Sequence, residues 1–307
     1  MPTLLCFGLG YSARHYLAEF GDRFDRVIGT VRDGGRAAAL ARDGLAGRPI
    51  EMLAFPPCRT TDGDTDDVPG AIAEADAVLV SAPPDEGGDP VLARHAAALA
   101  QAAAIRSFVY LSTVGVYGDH GGAWVDETSE PRPVSPRTRL RLAAEAAWRN
   151  LGAATGRPVA VLRLAGIYGP GRNALVNLVE RSARRIVKPG QVFNRIHVAD
   201  IARAIDAAFA RGADGIFNVA DDEPAPPQEV IAYAAGLIGI TPPPEIPFSE
   251  AAESMTPMAR SFYGDNRRVG NGRLKRELGV ALRHPTYRAG LEALFHDGDH
   301  RRPAPPH

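Results

Sequence analysis

The sequence predicts an α/β fold: a parallel sheet with helices on both faces. Short apolar, strand-like runs alternate with helix-like segments through the first half of the chain. These runs are apolar over their whole length, as strands buried on both faces are. The 307 residues suffice for one large α/β domain or two smaller ones with a substantial core.

The elements follow in order. TLLCF (3–7) is an apolar run ending at a glycine, 12–20 has helical texture, and RVIGTV (26–31) is β-like. Residues 34–43 are helical, and ADAVLVSA (75–82) has the pattern of a buried strand. In DPVLARHAAALAQAAA (89–104), Asp89 suits an N-cap and Pro90 the first helical position. SFVYLS (107–112) and PVAVLRLA (158–165) are further strands, separated by a helix that opens in VSPRTRLRLAAE (134–145). Beyond residue 166 the texture changes: helices at 173–184, 200–211 and 227–239 are separated by the β-like pieces RIHV (195–198) and GIFNVA (215–220). ITPPPEIPF (240–248) is expected to be a loop, and 271–279 and 286–295 a closing pair of helices. This predicts a dinucleotide-binding domain over 1–165, a smaller mixed α/β substrate lobe over 166–295 with segments returning to the sheet, and a disordered tail over 296–307.

Composition narrows the function classes. A formal net charge of −1 argues against a general nucleic-acid binder. No segment approaches the ~20 apolar residues of a membrane span, and the opening MPTLLCFGLGYS lacks the basic region of a secretion signal. The two cysteines, Cys6 and Cys58, stand in no metal-ligand spacing and are expected to be buried free thiols in a reducing cytoplasm. Asp62, Asp64, Asp66 and Asp67 imitate the start of a calcium loop but lack its later glycine and glutamate, so a solvated acidic loop is expected. No G-x-S-x-G occurs.

The first chemical motif lies between the first strand and the first helix. Gly8-Leu9-Gly10-Tyr11-Ser12-Ala13 is a G-x-G-x-x-A pattern: glycine for the tight turn, glycine where backbone approaches a pyrophosphate, and a small residue for close helix packing. The helix N-terminus then faces the phosphates. With the alternating elements, this makes the fold a Rossmann-type doubly wound sheet. Ser81 and Ala82, at the end of a later strand, are expected beside the same cofactor. Thr30 stands where NAD-binding chains carry an acid, and Arg32 follows. That favours NADP, whose 2′-phosphate an arginine can meet, while Asp33 leaves NAD open.

The second motif is the arginine run. Arg137, Arg139 and Arg141 crowd a helix N-terminus, where the macrodipole favours negative charge. They either face water or meet an anion.

LSTVGVYG (111–118), SPRTRLRLAAEAAW, LRLAGIYGPGRN (162–173), RIHVADIARAI (195–205) and FNVADDEP (217–224) follow in order. Together they resemble the extended short-chain dehydrogenase/reductases of the nucleotide-sugar epimerase/dehydratase type. The resemblance implies an NAD(P)-dependent enzyme with a catalytic hydroxyl at Thr113 and a Tyr-x-x-x-Lys pair at 137 and 141. Both positions hold arginine. Arg141 is expected to replace the lysine at the ribose. Arg137 does not shuttle protons near neutrality and is expected to bind an anionic small-molecule substrate. Glu145, one turn on, is placed to pair with Arg141. Tyr117, Tyr168 and His120 remain as candidate proton carriers, although Tyr168 suits packing, His120 a solvated loop and His197 a structural hydrogen bond better. Gly166 and Ile167 stand where relatives carry an asparagine before Y-G-P, and Phe193 where they carry an arginine, with Arg195 two residues later. Arg184, Arg185 and Lys188 form either a solvated turn or the wall of an anion site. A homo-oligomer is open, as is a second reading: an NADP-binding sensor or regulatory protein without turnover.

Overall fold

The structure is a computed structural model that describes residues 2–55 and 67–301. Cys58, Asp62, Asp64, Asp66 and residues 302–307, on which sequence expectations fell, lie outside the described residues. The first half runs β1 (Thr3–Phe7), α1 (Tyr11–Phe20), β2 (Arg26–Val31), α2 (Gly34–Asp43), β3 (Glu51–Ala54), α3 (Val68–Glu74), β4 (Ala77–Val80), α4 (Pro90–Gln101), β5 (Ser107–Thr113), β6 (Trp124–Val125), α5 (Pro136–Thr155) and β7 (Val159–Leu164). The rest runs β8 (Gly166–Tyr168), α6 (Ala174–Val179), β9 (Arg185–Val187), β10 (Arg195–His197), α7 (Val198–Arg211), β11 (Gly215–Val219), α8 (Pro227–Leu237), β12 (Glu245–Pro247), α9 (Phe248–Ala251), α10 (Pro257–Phe262), β13 (Arg268–Val269), α11 (Gly272–Arg276) and α12 (Tyr287–His296).

Among the described residues seven strands form one sheet in the order β11-β7-β5-β4-β1-β2-β3, every pairing parallel. β1 shows why its residues are apolar throughout. Leu4 and Cys6 face one core with α1 and α7, and Leu5 and Phe7 face a second core with α3, α4 and α5. Burial pushes the Cys6 thiol pKa up, so it packs as a neutral thiol. The doubly wound Rossmann arrangement is thus present, with chain reversal between β1 and β4, the switch point where such sheets bind ligands.

Local chemistry sets the helix ends. Asp89 caps α4 by accepting from the Val91 and Leu92 amides, both at 3.0 Å, and its other oxygen accepts from Trp148 Nε1 at 3.0 Å, tying α4 to α5. α5 opens with a reciprocal Ser135–Thr138 capping box and Pro136 at its first position, and stops at Gly156 with φ 66°.

Three expectations need correction. The helix expected over 173–184 ends at Val179; Arg181 adopts φ 58° and the chain turns into β9. The expected loop 240–248 contains β12, which pairs in parallel with β9, and Glu245 binds Arg185 at 2.7 Å. Residues 299–301 form a 3₁₀ turn with Asp299 buried, so the ordered chain extends past residue 296. No helix among the described residues is long and apolar enough to cross a membrane. A separate apolar cluster joins α6, α8 and α12 through Leu175, Ala234 and Leu291. It lies beyond the carboxyl ends of β5 and β7.

Candidate active site

The glycine loop is shaped partly by its own packing. Gly8 has φ 88°, and a Cβ there would lie 2.8 Å from the Ala82 amide nitrogen. Its N–H donates to Thr30 Oγ1 at 3.0 Å, and Leu9 N–H donates to the Thr30 carbonyl at 2.8 Å. The Ser81 and Ala82 amides donate to the Phe7 carbonyl at 2.8 and 3.0 Å. Thr30 is fully buried, so its hydroxyl supports the loop rather than facing a ribose, which corrects its expected role. Leu9 and Ala13 pack into the core, with Ser12 buried beside them.

Gly10 differs. A Cβ there would meet within 4 Å only the Ser81 hydroxyl oxygen, at 3.9 Å, and no side chain caps α1. Open space therefore lies over a free helix N-terminus, as a pyrophosphate requires. Tyr11 turns away from this space. Its hydroxyl donates to the Pro170 carbonyl at 3.0 Å, and the Arg172 guanidinium lies 5.8 Å from its ring centroid. At the end of β2, Arg32 is exposed, whereas Asp33 caps α2 by accepting from the Arg36 amide at 2.6 Å. One oxygen of the carboxylate that left NAD open is thus used at a helix end, and the other stays exposed.

The three arginines of α5 go three ways. Arg137 is exposed, lines a cavity, and sits 5.3 Å from the Phe262 ring centroid. Arg139 bonds the Val134 carbonyl at 2.7 Å. Arg141 donates to the Tyr110 hydroxyl at 3.0 Å and to the Leu111 carbonyl at 3.1 Å, fastening α5 to β5 instead of lining the cavity. Glu145 does not pair with Arg141. It is buried with Arg163, which reaches it through Nη2 at 2.7 Å, and it also accepts from the Ser112 hydroxyl.

Tyr117 is corrected as a proton carrier. It is fully buried under the Arg163 guanidinium, 4.8 Å from its ring centroid, and its hydroxyl donates to Asn218 Oδ1 at 2.8 Å. Burial raises its pKa. Tyr168 lines the cavity, with its hydroxyl 3.4 Å from the Thr286 carbonyl. His197 accepts from the Ala199 amide at 3.2 Å, and burial, reinforced by His284, lowers its pKa to about 3, so it is neutral near pH 7. His120 is half-buried and does not line the cavity. Thr113, at the end of β5, does line it; its Oγ1 accepts from the Gly115 amide at 3.1 Å and keeps its own proton to donate.

The cavity measures about 840 Å³ and lies between the carboxyl ends of β5 and β7 and the elements α6, α8, α10 and α12. Arg137, Arg172, Arg195 and Arg267 line it, with Asp265 the one acidic residue. Asp265 is 3.3 Å from Arg267, which also bonds the Gly118 carbonyl at 2.7 Å. Arg195 is anchored through Nη1 to the Phe193 and Ala225 carbonyls at 3.0 and 3.1 Å, and burial lowers its pKa. The rim is pinned by Asp299, whose carboxylate accepts from the Gly171 amide at 3.0 Å and from Asn173 Nδ2 at 2.6 Å.

Sequence reasoning missed Arg172, although it lies in the LRLAGIYGPGRN segment, and Arg267; only the fold brings them to the cavity that Arg137 lines. Arg184, Arg185 and Lys188 are absent from the lining: Arg185 pairs with Glu245 and Lys188 bonds the Tyr263 carbonyl.

Residues 90–220 match the NAD dependent epimerase/dehydratase family. Protein YeeZ of Escherichia coli strain K12 is 27% identical over 307 residues, covering 93% of this chain and 97% of that protein. A 3-diazoavenalumate denitrifying reductase of Streptomyces is 29% identical over 206 residues, or 64% of this chain and 67% of that one. A solved structure of a functionally unknown conserved protein from Silicibacter pomeroyi DSS is 47% identical with a TM-score of 0.85, covering 97% of this chain and 99% of that one.

Proposed function

We propose that the chain, whose residues 90–220 match the NAD dependent epimerase/dehydratase family, is a cytoplasmic NADP-dependent oxidoreductase or epimerase/dehydratase-like enzyme of the extended short-chain dehydrogenase/reductase type, acting on an anionic small molecule. One observation carries the anion: four arginines, Arg137, Arg172, Arg195 and Arg267, converge on a cavity whose single carboxylate, Asp265, is engaged by one of them. A cavity of this size at the carboxyl end of the sheet favours turnover over a purely sensing role. The similarity to a chain named as a reductase points the same way.

Gly8, Leu9, Gly10, Tyr11, Ser12 and Ala13 would hold the cofactor's pyrophosphate, with Ser81 and Ala82 behind them and Arg32 at the 2′-phosphate. A nicotinamide, when bound, supplies the hydride donor or acceptor. Thr113 donates a hydrogen bond to a substrate oxygen, and Arg137 holds the anionic group. Arg141 keeps α5 in register with β5. No phenol stands at 137, so the proton comes from another tyrosine, a histidine or water, and turnover is slow.

The test follows NADPH oxidation with a panel of carbonyl compounds, half bearing a carboxylate and half neutral. Turnover is expected only with the anionic members. Arg137→Ala is expected to raise KM about 10- to 100-fold, the worth of a charge-assisted hydrogen bond, with NADPH affinity unchanged. Equal KM values for anionic and neutral members would end the anion reading, and a protein that binds no dinucleotide would end the enzyme reading.

A further inference from the structure

We propose that the cavity takes an anion carried on a flat apolar body, an aromatic carboxylate, rather than a sugar nucleotide. The inference rests on the anionic reading above and names the class of anion. It comes from asking which polar groups in the lining are still free.

Most are not. Asn173 uses its amide nitrogen on Gly169 and Asp299 and its oxygen on the Leu175 and Val176 amides. Asn194 donates to the Arg267 carbonyl at 3.0 Å and accepts from the Val269 amide at 2.8 Å. Ser135 and Thr138 cap one another, Thr256 caps α10, and the Ser261 hydroxyl bonds the Met258 carbonyl at 2.7 Å. Of the charged groups, Arg137, Arg172, Arg195 and Arg267 are donors with no acceptor capacity, and Asp265, 3.3 Å from Arg267, is the one carboxylate, with its Oδ1 left without a partner among the described residues. The Thr113 hydroxyl, which keeps a proton to donate, and the buried Tyr287 hydroxyl, which has no partner among the described residues, are also free, so the lining is much richer in donors than in acceptors. A pyranose ring presents several hydroxyls, each donor and acceptor, and needs acceptors in return. Here acceptors are few, and most of those hydroxyls would face Val114, Ile167, Val192, Phe193 and Leu291.

An aromatic carboxylate fits the same inventory. Its oxygens accept only, matching guanidinium donors, and its ring needs apolar walls. The mouth offers both together. Phe262 and Met258, on α10, are 49% and 62% exposed and line the cavity, and Arg137 lies over the Phe262 ring at 5.3 Å. A ring laid on Phe262 would cover apolar surface now in water and bring its carboxylate to Arg137.

The experiment is calorimetric titration of the full chain, saturated with NADPH, with trans-cinnamate, with its neutral isostere cinnamide, and with UDP-glucose. Cinnamate is expected to bind, cinnamide about tenfold or more weakly, and UDP-glucose most weakly. Arg137→Ala should erase the difference between cinnamate and cinnamide. Phe262→Ala should weaken both about 2- to 5-fold. Both residues are exposed, and circular dichroism checks that the variants fold. UDP-glucose binding more tightly than cinnamate, equal binding of cinnamate and cinnamide, or no binding of cinnamate at millimolar concentration overturns the proposal. NADPH affinity is measured in the same series, and the titrations are repeated without NADPH. A failure of the cofactor reading is thereby seen apart from a failure of the ligand class.

Discussion

The carboxyl ends of β1 and β5 lead into two junctions of the same kind that are built from different materials. After β1 the shape is a property of backbone: Gly8 fits against Ala82, and Gly10 keeps open the space above α1. After β5 it is a property of side chains. Ser112 bonds Glu145, Glu145 holds Arg163, and Arg141 reaches Tyr110. A backbone cradle accepts any pyrophosphate, so it tolerates changes elsewhere. A side-chain site can lose its tyrosine and lysine and be refitted with arginines while the strand and helix beneath it stay put. Here the glycine loop keeps the G-x-G-x-x-A pattern, while arginines stand at 137 and 141.

The sharpest way to break this contrast is at the two glycines. A Cβ added at Gly10 meets only the Ser81 hydroxyl oxygen, in ordinary contact at 3.9 Å, so Gly10→Val should leave circular dichroism native while weakening NADPH binding about 100-fold or more. Gly8→Val should instead lower stability by about 2 kcal/mol, because its φ of 88° and its approach to Ala82 exclude a side chain. Unchanged NADPH affinity in Gly10→Val would remove the phosphate cradle.

At the other junction, Arg163→Met should cost about 3–5 kcal/mol in denaturant unfolding, since Glu145 would be left buried without its partner. Adding Glu145→Leu should recover most of the loss. If the single variant is as stable as the wild type, the side-chain scaffold is not what holds β5 and α5 together.

A smaller effect is expected at the adenosine end. The wild type should bind NADPH more tightly than NADH, and Arg32→Ala should weaken NADPH alone by about 10- to 100-fold in calorimetry. Equal affinities in the wild type would show that Arg32 only faces water.

A different kind of effect is a slope. Asp221, just after β11, is buried, and desolvation raises its pKa to about 8, well above the ordinary value of about 3.9. Between these values the folded state holds a proton that the unfolded chain has released, so this group's contribution to stability falls as pH rises from about 4 to about 8. Asp221→Asn should flatten that part of a Tm–pH profile and exceed the wild type in Tm above pH ~8. Parallel profiles would show that Asp221 is ionised in the fold.

Much of the fold was legible because its signals are local. α2 occupies the expected 34–43, and Asp89 and Pro90 marked the start of α4 correctly. β12 was hidden among prolines because its pairing partner, β9, lies far away in sequence. The glycine turn between β1 and α1 was legible for the same reason as α4: its glycine spacing is contiguous. The cavity was only half legible. Arg137 stood out in its helix, but Arg172, Arg195 and Arg267 come from three other segments. The error at Glu145 is instructive. Helical spacing placed it one turn from Arg141, yet the buried guanidinium of Arg163, across in β7, claims it. Tyr117 misled for a related reason, since the strand-end pattern does not show that its ring points into the core.

Asp299 closes the cavity rim from very late in the chain. Its bonds to Gly171 and Asn173 span 128 and 126 residues. During synthesis the sheet strands, the glycine loop and all four cavity arginines emerge before it does. A nascent chain lacking residue 299 would therefore carry a complete dinucleotide loop beside a rim whose 171 amide and 173 side chain still look for a partner. The two halves of the site would mature in sequence on the ribosome, cofactor end first. If the glycine loop binds a dinucleotide as proposed, that ligand would stabilise the partly made protein before its cavity rim has set.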